Sequence, residues 1–240
     1  MPASPNSDEF CEKSFGGIVR LFPLPGLVVF PHVVQALHIF EPRYRQMLEH
    51  AMDDDQLIAM ALLASKSDYL KSPPIEPVVC LGKVVSCDTM PDGCSNIILV
   101  GQRRAKIVRE IEAETNGAAG NLYRSAEVEL LVDNLADAMP GQCDLVRQLL
   151  DSYQSVLPKS ALATAQLAKT LGEGIALPLL TDLIAYTVEM QPNEKIGFLA
   201  ETNVVCRAKK LITHLDQMRQ AADCQNQHKP QAFPPDFSAN

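Results

Sequence analysis

Apolar residues along this chain follow two different periods. From residue 18 to about residue 132 they come in short runs or alternate with polar residues. Such runs predict strands, because successive side chains of a strand point to opposite faces. A first strand is expected at 18–22, before Pro23, Pro25 and Gly26 interrupt the run. The following apolar stretch therefore reads as a loop. A second strand over 33–40 puts Leu37 and Ile39 on one face and His38 and Phe40 on the other. Leu37 and Ile39 are the pair expected to face the interior. A helix begins at Pro42, since proline suits the first turn. On it Tyr44, Met47, Leu48 and Ala51 share a face, and Asp53, Asp54 and Asp55 should stop it by opposing the dipole. Further strands are expected at 57–63, 78–89, 96–100, 103–111 and 123–132. Pro91-Asp92-Gly93 forms a turn, and Gly101 a break or bulge.

From Pro140 onward the period becomes helical. Leu145, Leu149, Tyr153 and Val156 recur at three and four, and Pro158 closes that helix. Further helices are expected at 160–171, at 178–190 and from Pro192. In the 178–190 helix the apolar residues are Leu179, Leu183, Ala185 and Tyr186. A last helix, capped by Asn203, runs to about Ala222 with Val204, Ala208, Leu211 and Leu215 inward. Strands first and helices later predict an α+β chain of two segregated parts. The expected organisation is a disordered lead-in over 1–17, a β-rich part over 18–134, a helical bundle over 141–222 and a loose tail over 223–240. The boundary falls near 135–141.

Several stretches together resemble the amino-terminal, substrate-binding domain of Lon protease. They are Leu21-Phe22-Pro23-Leu24-Pro25, Phe30-Pro31 and Leu37-His38-Ile39-Phe40-Glu41-Pro42-Arg43-Tyr44. The resemblance continues through Cys80-Leu81-Gly82-Lys83-Val84, the Pro91-Asp92-Gly93 turn, and Gly101 with Arg103, Arg104 and Ile107. It fades over 112–175 and returns more weakly over 180–185 and 194–207. It implies a PUA-like pseudobarrel with one inserted helix, then a helical bundle, in the service of noncatalytic polypeptide binding. No proteolysis is expected, because the resemblance reaches no ATPase or peptidase domain. Asp92-Gly93-Cys94-Ser95 echoes the loop of Lon's catalytic serine, but Ser95 falls in a hairpin turn without a partner lysine.

Composition narrows the picture. The 240 residues carry a formal net charge of −8, which disfavours phosphate backbones and anionic lipid. No apolar run approaches the roughly 18 residues of a membrane helix, and residues 1–17 lack the core of a signal peptide. The seven cysteines form no Cys-x-x-Cys pair, so free thiols in a reducing cytoplasm are expected. The spacing of Cys80, Cys87 and Cys94 suits packed thiols better than a zinc site. No phosphate loop, dinucleotide turn, zinc helix or nucleophile elbow is present, so no catalytic residue, metal or cofactor is assigned. Arg103, Arg104, Lys106 and Arg109 form the one basic cluster on a strand. Alternation splits them into Arg104 with Lys106 and Arg103 with Arg109, and no aromatic interleaves them.

The function expected is binding of unfolded or degradation-bound polypeptide, with a separate protease or chaperone as a possible partner. An RNA-binding PUA-like module and an unrecognised hydrolase are the alternatives. The candidate binding residues are Leu24, Leu27, Val28 and Val29, with Leu27 the exposed anchor, because an exposed apolar loop marks a contact surface. The alternative is that the loop folds back and plugs the barrel. Glu41 is expected to help cap the helix, and Arg43 to form an ion pair or a packing contact.

Overall fold

The computed structural model describes residues 10, 12, 15–64, 73–111, 120–134, 142–157 and 175–227. Six strands and five helices follow one another: β1 (Ile18–Leu24), β2 (Val34–Ile39), α1 (Pro42–Met52), β3 (Leu57–Leu62), β4 (Val78–Thr89), β5 (Ser95–Ile111), β6 (Ser125–Leu131), α2 (Gln142–Val156), α3 (Leu177–Thr187), α4 (Pro192–Ala200) and α5 (Val204–Gln227). The chain divides into two compact units. One holds Met1–Ala138 and Ala176–Arg207, the other Met139–Ile175 and Ala208–Asn240. The chain therefore passes between the units three times, after Ala138, after Ile175 and inside α5 after Arg207, rather than once near 135–141, because α3 and α4 belong with the strands.

Five strands close on themselves. β1 pairs with β3 in parallel, and β3–β4, β4–β5, β5–β6 and β6–β1 are antiparallel. Closure leaves no open edge in this ring. Alternate residues of each strand point inward: Val19 and Leu21 of β1, Ala59 and Ala61 of β3, Val79 and Leu81 of β4, Ala105 of β5, and Ala126 and Val128 of β6. The alanines matter because a five-stranded ring has a narrow interior that large side chains on every strand would overfill.

β1 runs two residues further than the prolines suggested. Pro23 lies opposite Ala61 in the parallel ladder, while β6 pairs only with residues 18–20 on the other side. One side of β1 is thus unpaired at Pro23, and a missing N–H costs little there. The outward face of β1 and β3 is covered by α1, whose buried residues are Tyr44, Met47, Leu48 and Ala51. The Phe22 and Tyr44 rings meet edge-on at 4.5 Å. With the barrel on one side and α1 on the other, all six residues of β3 are buried. α1 ends at Met52, and the acids beyond it turn to Arg20, which bonds Asp54 at 2.6 Å and Asp55 at 2.8 Å.

The apolar loop after β1 lies against β5. Gly101 donates to the Val33 carbonyl at 2.9 Å and accepts from the His32 N–H at 2.8 Å. A Cβ at Gly101 would stand 2.0 Å from the Phe30 carbonyl oxygen, so only glycine lets the loop come this close. Val28 and Val29 are 4% and 1% exposed, and Phe30 is fully buried. The expectation that Val28 and Val29 form an open surface is corrected, because backbone pairing at Gly101 pulls the loop down. These residues are not part of the cluster that fills the barrel. Leu37 and Ile39 do not fill it either: their strand pairs with β5 at Ser95–Val100, beyond the closed ring.

The helices α3 and α4 and the start of α5 are held by a buried charge cluster. Arg104 of β5 is ion-paired with Asp182 of α3 and lies 3.5 Å from Asp133, and its Nε donates to the Leu199 carbonyl at 3.0 Å. Arg207 donates to both oxygens of Asp133 at 3.0 and 2.7 Å, to the Glu201 carbonyl at 2.6 Å and to Thr181 Oγ1 at 3.0 Å. The buried face of α3 consequently includes Thr181 and Asp182, which apolar periodicity did not mark. Burial raises the Asp182 carboxyl above its ordinary value despite the flanking Arg104 and Arg207. Asn203 caps α5 by accepting from the Cys206 N–H at 2.9 Å, and α5 continues to Gln227, five residues past the expected end. In the second unit Leu149, Leu211 and Leu215 are buried, as the period predicts. The helix expected at 160–171 and most of the tail expected at 223–240 lie outside the described residues.

Two outcomes follow for the barrel wall. Arg104→Met takes from the buried Asp182 its direct ion-pair partner, leaving Arg207 at 3.5 Å, and should destabilise by about 3–5 kcal/mol, whereas adding Asp182→Leu should recover much of that loss. Urea unfolding of the single and double variants measures it. Cys80, opposite Arg104 on the outer face, has its thiol pushed up to about 12 by burial. It should stay unalkylated at pH 8 while the exposed Cys143, Cys206 and Cys224 react. Mass mapping of iodoacetamide adducts, with and without denaturant, reads this directly.

Candidate polypeptide-binding surface

β5 is 17 residues long and serves two parts of the one six-stranded sheet. Its second half closes the barrel. Its first half lies between β2 and the end of β4, making a three-stranded ribbon. The turn at the ribbon's tip is set by Gly93, at φ +79°, and by Asp92, whose carboxylate accepts the Cys94 N–H at 2.9 Å. That bond lowers the Asp92 carboxyl.

Register aligns the ribbon's side chains in rows. Val34, Val100 and Lys83 form one row, Ala36, Ile98 and Ser86 the next, and His38, Asn96 and Asp88 the third. Along each strand, successive rows stand about 6.8 Å apart, two residues of antiparallel rise. The opposite face carries Ile39, Ile97, Leu99 and Val84, all buried. There Gln35 accepts from the Tyr186 hydroxyl of α3 at 2.7 Å. The row-bearing face is open. Val34 is 60% exposed, Phe40 59%, and Val85, which bulges from β4, 46%. A groove of about 460 Å³ crosses this face, lined by Ala36, Leu37, His38, Ser86, Asp88, Asn96, Ile97 and Ile98. Its size falls in the range of ligand sites, and four of its eight lining residues, Ala36, Leu37, Ile97 and Ile98, are aliphatic. β2 is also an edge strand: it pairs with β5 on one side and with no other strand among the described residues. Val34–Ile39 carries no charge or proline to block that edge.

The sequence candidates divide over this geometry. Leu24 and Leu27 are half-buried, and neither lines the groove. His38 is exposed on the groove, bonded through Nδ1 to Asn96 Oδ1 at 2.8 Å, and its ring stacks on Phe40. Leu37 is half-buried and Ile39 buried. Glu41 makes no side-chain cap. It takes Arg43 at 2.7 Å instead, and the Arg43 guanidinium lies over the Tyr44 ring. Pro42 starts α1, and Tyr44 is buried. Ser95 is buried and bonded to Thr89 at 3.1 Å. Sequence reasoning missed Val34, Ala36, Asp88, Asn96 and Ile98. Their signal was an apolar run, residues 97–100, whose strand should have had one polar face.

Three of the four residues of the basic cluster are engaged by carboxylates, while Lys106 is exposed. Arg103 bonds Glu12 at 3.2 Å, Arg104 lies in the buried network, and Arg109 bonds Glu127 at 2.7 Å. A bulge between Ile107 and Arg109 turns Arg109 to the outer face, opposite Glu127, against the alternation expected for it. A second cavity of about 230 Å³ beside Arg103, Arg104 and Asp182 is lined by these paired groups. Among the described residues, no cluster of three or more His, Cys, Asp or Glu is placed to hold a metal ion. Among them, too, no helix is long and apolar enough to cross a membrane.

The architecture is an α+β protein: a closed barrel with one inserted helix and further helices after it. Residues 18–217 match the family described as the ATP-dependent protease La (LON) substrate-binding domain, and the chain belongs to that family. It is 26% identical over 216 residues to Lon protease of Brevibacillus choshinensis, covering 88% of this chain and 26% of the relative. It is 27% identical over 197 residues to Lon protease of Bacillus thuringiensis, covering 82% and 24%. The chain thus spans about a quarter of the length of these relatives. The fold matches the amino-terminal domain of the Mycobacterium avium complex Lon protease with a TM-score of 0.61 at 15% identity, over 83% of this chain and 98% of that one. It matches a Lon N-terminal domain protein from Xanthomonas campestris at 0.57 and 18%, over 82% and 97%.

If the ribbon face is free surface, Val34→Ser and Phe40→Ser should each change unfolding stability by no more than about 0.5 kcal/mol. Phe30→Ala, in the buried loop, should cost about 3–5 kcal/mol. Urea denaturation of the three variants compares them.

Proposed function

We propose that this chain binds unfolded or partly folded polypeptide without acting on it chemically, and that the open ribbon face is the binding surface. The observation that carries this is the registered exposed face itself, where Val34, Phe40 and Val85 stand in solvent and a groove joins Ala36, Leu37, Ile97 and Ile98 to polar neighbours. Exposed apolar area of this kind is characteristic of contact sites. Membership of a family described by substrate binding supports the reading, and the names of the relatives suggest a protease as the downstream partner. A cytoplasmic setting fits the free thiols among the described residues. Phosphate-backbone binding is disfavoured, since Arg103, Arg104 and Arg109 are each held by a carboxylate.

Binding of fluorescein-labelled, reduced and carboxymethylated lactalbumin, followed by anisotropy, tests the proposal. Ile98→Lys should weaken the affinity about tenfold or more, the scale of a central interface residue. A Glu129→Lys change on the barrel wall should leave it unaltered. Equal affinity in wild type and Ile98→Lys would remove the ribbon face as the site.

A further inference from the structure

We propose that the ribbon groove selects extended segments in which an aliphatic residue and a lysine or arginine stand two positions apart. This rests on the ribbon face being the polypeptide site and names the class of segment it takes. Among the groove's lining residues Asp88 is the only carboxylate, and no lining residue is a lysine or arginine. Asp88 is exposed and has no ion-pair or hydrogen-bond partner among the described residues, unlike Glu41, Glu110 and Glu127, each of which holds an arginine. It ends the His38–Asn96–Asp88 row, next to the row formed by Ala36, Ile98 and Ser86.

The spacing follows from strand geometry. A segment lying extended along the ribbon repeats its side-chain direction every second residue, about 6.8 Å, which is the distance between those two rows. An aliphatic side chain over Ala36 and Ile98 therefore brings the residue two positions away over the Asp88 row. There a cation meets an unpaired carboxylate, and a carboxylate meets its like. His38 and Asn96 are bonded to each other and supply no anion. Lys83 stands in the row furthest from Asp88 and does not line the groove. The chain's net charge of −8 adds to the attraction of basic segments at a distance. An exposed pair contributes modestly, so the selectivity expected is about three- to fivefold at low salt, fading as salt screens it.

The test uses the full chain and labelled peptides with a Gly/Ser frame around Ile-Ser-Lys, Ile-Ser-Glu, Ile-Ser-Gln or Ile-Lys-Ser. Wild type should bind Ile-Ser-Lys tightest and Ile-Ser-Glu weakest. Moving the lysine to the adjacent position should cancel its advantage. Asp88→Asn should erase the difference between the lysine and glutamate peptides, and Asp88→Lys should invert it. Equal binding of those two peptides to wild type, or a preference that survives Asp88→Asn, overturns the selectivity while leaving apolar binding intact. If Ile98→Lys also leaves every peptide's affinity unchanged, the ribbon face itself is not the site and both readings fall.

Discussion

Everything else in the first unit depends on the pairing of β5. One half of this strand bonds β6 and closes the ring, and the other half bonds β2 and leaves the ring behind. A strand shared this way must change neighbours partway along. It does so near Gly101, where the absent side chain admits the loop that brings the chain into β2. The same residue thus seats the apolar loop, begins the ribbon and ends the closed part of the barrel. A closed ring satisfies its own backbone groups, whereas the ribbon keeps one face toward solvent and has strand edges, β2 and the end of β4, with no further strand partner among the described residues. Stability and exposure are in this way assigned to different halves of a single strand.

Attachment of the helices is electrostatic as much as apolar. Arg104 and Arg207 are buried, and Asp182 with them, while Asp133 is partly open. Desolvating such charges is costly, and the cluster offsets it by giving the guanidinium groups carboxylate, hydroxyl or carbonyl partners. These bonds are directional. They fix where α3, α4 and the first turn of α5 meet the barrel wall more tightly than aliphatic packing would. Cys80 shares the wall with Arg104, and its thiol is silenced by the same burial. Of the basic residues that invited comparison with RNA-binding barrels, Arg104 belongs to this structural role and Arg103 and Arg109 to surface pairs.

The binding reading sits on the least constrained part of the fold. An apolar sheet face exposed to water is unfavourable unless something covers it part of the time, and a polypeptide with its own exposed apolar side chains is a matching cover. The groove runs over strands in regular register along β2 and mixes aliphatic with polar groups, so it suits extended segments better than a compact small molecule. Asp88 gives this otherwise permissive surface a sign.

Local pattern was enough to mark most of the elements. Pro42 and the Tyr44–Ala51 face defined α1, the run at residues 57–62 defined a buried strand, and Asn203 defined the start of α5, because period and capping act within a few residues. The family signature around residues 37–44 was legible for the same reason. What pattern could not show was pairing. That Pro23 could stay in a strand depended on β6 ending short of it. That Val28 and Val29 were core depended on Gly101, more than seventy residues away in sequence. Thr181 and Asp182 looked like polar surface until Arg104 and Arg207 were placed beside them. The bulge that sends Arg109 outward appears only in the ladder with β6. The groove is the extreme case. Ala36, Ile98 and Asp88 lie on three strands, and nothing within any one of them says that the three meet; long-range hydrogen-bond register decided it.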